Sequence, residues 1–375
     1  MGYAFRSAAF SDNEYDIKLL RGENIAQGTA KWSNTKYWPR DIAVEDKYAL
    51  TAGDVVLAMD RPWIDAGLKF ATIRERDLPA FLVQRVALMR ARAGTDQGYV
   101  SCIVSSPEFT NYILGAQTGT SIPHISGNQI SRYRLTPHSL PEQKAIAEVL
   151  GALDDKIAAN TKLVQTSDEL AGVLTRRALD FENRVPLSSV AQVTMGSSPP
   201  GVTLNEVGAG EVFYQGVRDF GVRFPVNRVW TTGPVRFAEK LDTLLSVRAP
   251  VGRANLAQER TCIGRGIASI RSIEAHPYSI FHRLRDDPEM WAPYEAEGTV
   301  FGSINRGQLD KLAMPAILAD DSDRLEAQLA AIELRVASAL AENRTLAATR
   351  DALLPQLMSG KLRVRGAEKA VEAVV

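Results

Sequence analysis

Apolar positions recur at alternating steps of three and four residues between Leu140 and about Leu179. One row contains Ile146, Val149, Leu153, Leu163, Leu170 and Leu174, and a second row beside it contains Leu150, Ile157, Val164 and Ala171. Pro141 and Glu142 suit the first turn of a helix. The pattern predicts one helix roughly 57 Å long at about 1.5 Å per residue, too long for one small core, so it needs a partner.

A matching pattern runs from Asp323 to about Met358 and includes Leu329, Val336, Leu346 and Leu353. The two patterns are related by one offset, since Asn160 corresponds to Asn343 and 343 − 160 = 183. A buried Asn fixes the register of paired helices, and these two would meet if the helices ran antiparallel. The alternative is two unrelated amphipathic helices, each lying on its own domain.

The segments before the two helices also repeat. Gln129 follows the stretch 119–125 as Gln308 follows 298–304, and 308 − 129 = 179. Short strands are predicted at 54–59, 84–89, 243–247 and 266–270, and helices at 107–114 and 276–284. The chain therefore predicts an α+β fold in which two similar mixed α/β modules are separated by two long antiparallel helices, as a pseudo-twofold internal repeat.

Composition narrows the class of protein only slightly. The 375 residues suffice for two or three domains, and the formal net charge is zero, so any nucleic-acid surface must come from local clustering. Cys102 and Cys262 form no metal-binding pattern, and the first residues lack a signal peptide, which predicts a cytoplasmic protein. We find no phosphate-binding loop or other legible catalytic motif, and we expect no metal site.

Four stretches carry a resemblance to a known family. Leu140 to Ile157 (LPEQKAIAEVLGALDDKI) resembles the central helix of type I restriction-modification specificity subunits, and 350–362 resembles their C-terminal helix ending. Residues 2–7 and 264–271 resemble segments of their target-recognition domains. The second module opens with a lead-in, 185–196, that this family usually also has before its first module. By this comparison we expect the given sequence to start inside its first module, so that either the true start lies upstream or the first module lacks an edge element.

The resemblance implies a non-catalytic subunit that binds a bipartite double-stranded DNA site and docks two methyltransferase subunits, with restriction subunits joining separately. S-adenosylmethionine, and ATP with Mg for restriction, would be bound by those partners and not by this chain. The implied domains are 1–139 and 184–318 for target recognition, with spacer helices at 140–183 and 319–362. We expect the tail, 363–375, to be disordered or frayed.

Candidate DNA contacts follow from residue type, because Arg, Lys and polar side chains on loops bind base edges and phosphates. In the first module they are Lys31, Lys36, Tyr37, Arg40, Arg61, Thr120, Ser121 and His124. In the second they are Arg218, Arg223, Asn227, Arg228, Arg248, Arg253, Arg265, Thr299, Ser303, Asn305 and Arg306. Twelve of the fourteen basic residues between 185 and 315 are arginine, which suits bidentate contact with guanine.

The paired rows on each helix suggest two packing surfaces. We expect Asn160 and Asn343 to set the register, and the second row, Leu150, Ile157 and Val164, to pack against methyltransferase helices. The alternative function is a scaffold whose two modules bind proteins, which the zero net charge favours. A salt titration separates the two, because DNA binding through several phosphates weakens steeply with salt.

Overall fold

The computed structural model describes residues 1–119, 123–135, 137–294, 302–318 and 321–372. The chain divides into two compact units. The first unit combines Met1–Ala159 with Glu342–Val375, and the second is the continuous stretch Asn160–Ala341. Each unit therefore contains one module and part of each long helix.

The first module is built from short strands that form small sheets. Its strands are β1 (Ile17–Leu20), β2 (Gln27–Gly28), β3 (Tyr37–Trp38), β4 (Val55–Ala58), β5 (Trp63–Ile64), β6 (Gly67–Leu68), β7 (Phe70–Thr72), β8 (Ala80–Leu82) and β9 (Val86–Met89), and its helices are α1 (Gln97–Ser105), α2 (Pro107–Ala116) and α3 (Gly127–Ser131). The sheets have the strand orders β3-β1-β8, β2-β7-β4-β9 and β5-β6. Strand β4 is buried throughout, which explains its continuous apolar run.

The first long helix is α4 (Leu140–Ala178), and the second module follows it. Its elements are β10 (Leu179–Pro186), α5 (Leu187–Val190), β11 (Ala191–Met195), β12 (Leu204–Asn205), β13 (Glu211–Tyr214), β14 (Trp230–Thr231), β15 (Phe237–Ala238), β16 (Thr243–Ser246), β17 (Ala254–Leu256), β18 (Thr261–Ile263), β19 (Ile267–Ser272), α6 (Pro277–Arg285), α7 (Arg306–Asp310) and β20 (Ala313–Ile317). The sheets have the orders β10-β20, β11-β19-β16-β17 and β12-β14-β13-β18-β15. The predicted strands and helices of both modules are confirmed; the other strands and the helices α1, α3, α5 and α7 were not predicted.

The second long helix, α8 (Ser322–Met358), packs antiparallel to α4 within each unit. In the first unit, Lys156 forms an ion pair with Glu342 at 3.2 Å and Asp154 with Arg350 at 2.8 Å, so the pairing runs in opposite directions. The seam between the two helices of the first unit contains Ile146, Leu150, Leu153, Leu346, Leu353 and Leu357, all of them buried. In the second unit it contains Val164, Ala171, Leu325, Leu329, Val336 and Ala339.

The seam corrects the expectation that the second apolar row faces another protein. Leu150 and Val164 are buried within this chain, and Ile157 packs beside Leu150. The buried positions of α4 are separated by three and four residues in turn, as in a heptad repeat. This single stripe takes residues from both of the rows that the sequence suggested. Asn160 is buried, and the side-chain amide of Asn343 donates to the carbonyl of Ile157 at 3.4 Å.

The tail prediction was also wrong for the residues that the structure describes. Helix α9 (Val364–Glu372) follows α8, and Ala367 is completely buried against the seam of the first unit. Its apolar positions, Val364, Ala367 and Val371, fall on one helical face. Among the described helices, none combines the length and apolar character needed to cross a bilayer.

Candidate nucleic-acid interface

The two modules share internal hydrogen bonds as well as sequence spacing. Ser126 and Gln129 cap α3 reciprocally, and Asn305 and Gln308 cap α7 in the same way. A buried aspartate anchors an arginine in both modules: Asp54 binds Arg90 with the shortest N–O distance at 2.6 Å, and Asp242 binds Arg271 at 2.8 Å. The predicted repeat is therefore visible in the structure of each module.

In the second module, the ends of several strands converge on one edge, which we call the loop edge. It comprises Gln215 after β13, Arg248–Ala249 after β16, the turn 264–266 between β18 and β19, and Ser303 before α7. Its backbone hydrogen bonds are Ala249 N–H to Gly302 O (3.0 Å), Ile304 N–H to Val247 O (3.1 Å), Val247 N–H to Gly266 O (3.0 Å) and Gly264 N–H to Tyr214 O (2.8 Å).

The first module has an equivalent loop edge. It comprises Arg21 after β1, Asp60–Arg61 after β4, the turn 83–85 between β8 and β9, and His124 before α3. The four matching hydrogen bonds are Arg61 N–H to Pro123 O (2.7 Å), Ile125 N–H to Met59 O (2.8 Å), Met59 N–H to Arg85 O (2.8 Å) and Val83 N–H to Leu20 O (3.2 Å). One scaffold thus presents different side chains at equivalent positions in the two modules.

Charge is distributed unevenly over the second module. Elsewhere in it, Arg260 is paired with Glu211, and Arg271 with Asp242. By contrast, no carboxylate of the described residues lies within ion-pair distance of Arg248 or Arg265, both of which are exposed on the loop edge. Unpaired guanidinium groups keep their full charge for a partner, so this edge suits an anionic or polar ligand.

The loop edge of the first module carries more paired charge than that of the second, since Arg21 is paired with Glu23 at 2.6 Å. Burial and, to a smaller extent, the positive charge of Arg61 lower the pKa of Lys69, while Glu23 and Asp60 act in the opposite direction. Arg85 is partly neutralised by Asp60 at 3.6 Å. His124 lies next to Thr118, with Nε2 3.3 Å from the hydroxyl oxygen.

The other first-module candidates lie along β3. The loop that contains Lys31 adjoins Arg21, whose guanidinium donates to the carbonyl of Asn34 at 2.9 Å. Lys36 is paired with Asp12 at 2.8 Å, and Tyr37 is half-buried in the strand. Arg40 donates to the carbonyl of Tyr15 at the other end of β3. Thr120 and Ser121 lie outside the described residues.

Arg223 is a correction to the candidate surface of the second module. Its side chain is 0% exposed, and its guanidinium is paired with Asp168 of α4 and with Glu333 of α8 while it stacks on Phe281. Because such a buried cation is committed to acidic partners inside the unit, it cannot reach a base. Arg223 is therefore not available to the candidate surface.

The remaining second-module candidates surround the loop edge. Arg218 is exposed in the short helical turn that follows Gln215, and Arg253 lies on the same β16–β17 hairpin as Arg248. Asn305 caps α7, and Arg306 is paired with Asp310 at 3.6 Å beside Ser303. Thr299 lies outside the described residues.

Asn227 and Arg228 adjoin the base of the second module's loop edge. Asn227 accepts a hydrogen bond from the hydroxyl of Tyr214, and Arg228 faces Asp219 at 3.5 Å. In the part of the chain that the structure describes, no three His, Cys, Asp or Glu side chains form a group that could hold a metal ion.

The sequence prediction missed several side chains of the loop edges, notably Gln84, Gln215 and Ser198. Gln84 and Gln215 are exposed at strand ends, and Ser198 hydrogen-bonds to Gln215. The available signal was only approximate, because the turns at 83–85 and 264–266 are 181 residues apart (264 − 83 = 181) and the offset between Gln129 and Gln308 is 179. Without the backbone hydrogen bonds, nothing in the sequence joins these turns to Gln215.

Fold and edges together define a duplicated two-module protein with a pair of long helices. The same fold occurs in the crystal structure of the type I restriction-modification system S subunit from M. genitalium, with a TM-score of 0.60 at 13% identity, over 95% of this chain and 92% of that one. No protein-family model matches the sequence.

Sequence relatives point to the same family. The type I restriction enzyme MjaX specificity subunit of Methanocaldococcus jannaschii is 26% identical, over 97% of this chain and 88% of that protein. The EcoAI specificity subunit of Escherichia coli is 33% identical over 48% of this chain, and that match spans 31% of the longer relative. The chain is therefore a relative of the type I restriction enzyme specificity subunits, which confirms the resemblance carried by the central helix.

Proposed function

We propose that this chain is the non-catalytic DNA-specificity subunit of a type I restriction-modification complex. Each module binds one half of a bipartite double-stranded DNA target through its loop edge. The observation that carries this proposal is the repetition of one edge, held by four equivalent hydrogen bonds, in both modules. Arginines without an acidic partner among the described residues supply the charge that the zero net charge of the chain does not.

The long helices offer a surface for partner subunits, because their outer faces retain apolar side chains after the seam has formed. In the second unit, Leu170, Val173 and Leu334 are 50%, 54% and 67% exposed. We assign these exposed side chains, in place of Leu150 and Ile157, to the docking of methyltransferase subunits. Those subunits would bind S-adenosylmethionine, restriction subunits would bind ATP with Mg, and the complex would act in the cytoplasm.

A binding titration tests the proposal with one edge variant per module. Full-length chain purified with its methyltransferase subunits is titrated with double-stranded DNA carrying the motif that is methylated only when the gene is present. The binding constant should fall with salt at a log–log slope of about −0.9 per phosphate contact. Arg61→Glu and Arg248→Glu should each abolish specific binding, because they reverse the charge on one loop edge.

Lys240→Glu is the matched control, since Lys240 is exposed at the opposite end of β16 from Arg248. It should preserve binding. Equal losses in all three variants would show that the edges have no special role and contradict the proposal. No DNA binding, together with a salt-insensitive protein partner, would establish the scaffold function instead.

A further inference from the structure

Three side chains of the second loop edge form a connected polar cluster. The Nε–H of Arg265 donates to the hydroxyl oxygen of Ser198 at 3.4 Å, and the Ser198 hydroxyl donates to Oε1 of Gln215 at 3.2 Å. The backbone N–H of Gln215 donates to the carboxylate of Asp219 at 2.8 Å, which fixes the base of the cluster. The three residues come from separate strand ends and are joined only in the folded module.

Glycines allow these strand ends to approach. A Cβ at Gly264 would lie 2.5 Å from Oε1 of Gln215, and one at Gly266 would lie 2.4 Å from its carbonyl oxygen. A Cβ at Gly196, two residues before Ser198, would lie 2.2 Å from the carbonyl oxygen of Gly264. The contacts at Gly196 and Gly266 are with backbone oxygens and leave no room for a side chain in this conformation, whereas at Gly264 the close atom belongs to the flexible side chain of Gln215.

The cluster leaves specific donors and acceptors for a ligand. With Nε engaged, the two terminal nitrogens of Arg265 remain as a parallel pair of donors. The amide of Gln215 retains its NH₂ donors and the second lone pair of Oε1. Both side chains are exposed, and a polar neighbour restrains each of them. Two parallel donors match guanine O6 and N7, and an amide matches adenine N6 and N7.

We propose that Arg265 and Gln215 are specificity-determining residues that recognise a guanine and an adenine in the half-site of the second module, with Ser198 as the positioning residue between them. This rests on the proposed function. The equivalent positions of the first module hold Gln84, Arg21 and Ala4, as shown by matching hydrogen bonds at Gly2 and Gly196. Ala4 has no hydroxyl to join Gln84 and Arg21 as Ser198 joins Arg265 and Gln215. The first module therefore recognises a different sequence.

A selection experiment tests the assignment. Full-length chain with its methyltransferase subunits is bound to a random double-stranded DNA library, and the retained sequences give a base-preference matrix. Arg265→Ala should lose guanine preference at one position of one half-site, by about fivefold to 150-fold, because a bidentate contact discriminates by about 1–3 kcal/mol. Gln215→Ala should act likewise at one adenine. Arg265→Lys should keep a weakened guanine preference, since lysine also binds guanine.

Lys240→Ala is the control for loss of one positive charge, and it should leave the matrix unchanged. Thermal melting of each variant confirms that it folds. If the wild type gives a bipartite motif that both alanine variants leave unchanged, the proposed function stands and these residue assignments fail. Uniform weakening at all positions would identify phosphate contacts and also overturn the assignments. If the wild type enriches no motif, the proposed function and the residue assignments fail together.

Discussion

A buried charge cluster in the second unit gives a stability prediction that can be worked out from the structure. His282 on α6 contacts Glu333 on α8 at 2.8 Å and Asp286 at 3.0 Å, and both His282 and Glu333 are at least 98% buried. Glu333 also faces Arg223 at 3.1 Å. Replacing Glu333 by Gln preserves the shape of the side chain and leaves two buried cations with one fewer acidic partner.

The expected cost of Glu333→Gln is about 3–5 kcal/mol, which is typical when one partner of a buried ion pair is removed. For a unit of this size, about 1 kcal/mol lowers the melting temperature by roughly 2–4 °C. The transition of the second unit should therefore move down by roughly 6–20 °C. Calorimetry of the full-length protein measures the shift, and hydrogen exchange of α6 shows whether the loss is located there.

Asp323→Asn is the matched control on the same helix. Asp323 contacts His276 at 2.8 Å, the same distance as in the buried pair, but its side chain is fully exposed. Exposed pairs are screened by water, so this variant should melt almost as the wild type does. If Glu333→Gln shifts the transition no more than Asp323→Asn does, burial is not what makes the cluster important, and this explanation is wrong.

The remaining predictions concern pH and assembly. Burial would lower the pKa of His282, but its bonds to Asp286 and Glu333 outweigh this and raise it. The stability that protonated His282 contributes to the fold should be complete below about pH 6.5 and be lost as pH rises through the raised pKa. The urea concentration at the unfolding midpoint should therefore decline over that pH range, and this dependence on pH should be weaker in Glu333→Gln. Leu170→Asp should abolish copurification of methyltransferase subunits with little change in melting, whereas Leu150→Asp should unfold the first unit; retained assembly in a folded Leu170→Asp protein would refute the docking surface.

The sequence predicted the long helices and the duplication because both depend on local spacing. A heptad stripe requires only the chain itself, and the Gln129–Gln308 correspondence reflects a helix cap that each module forms internally. The spacing could not show which apolar row faces inward, because two adjacent rows differ by a rotation of the helix about its axis. Only the position of the partner helix decides between Leu150 and Val149.

Candidate residues were harder to predict because their roles depend on distant segments. Arg223 looked like its exposed neighbours, yet its acidic partners are Asp168 and Glu333, 55 residues before it and 110 after it in sequence. Gln215 has no local feature that distinguishes it from other surface amides. Its position becomes meaningful only when Gly264 and Gly266 bring a second strand end against it.

The nested division of the chain implies an order of synthesis and folding. All residues of the second unit, Asn160–Ala341, are synthesised before Glu342. The first unit stays incomplete until then, because Ile146, Leu150 and Leu153 pack against leucines of the segment after Glu342. The apolar stripe of α4 therefore stays exposed until late in translation, when chaperones can bind it or partner subunits can bind it too early. Completion of the C-terminal helices closes the first unit and ends that exposure.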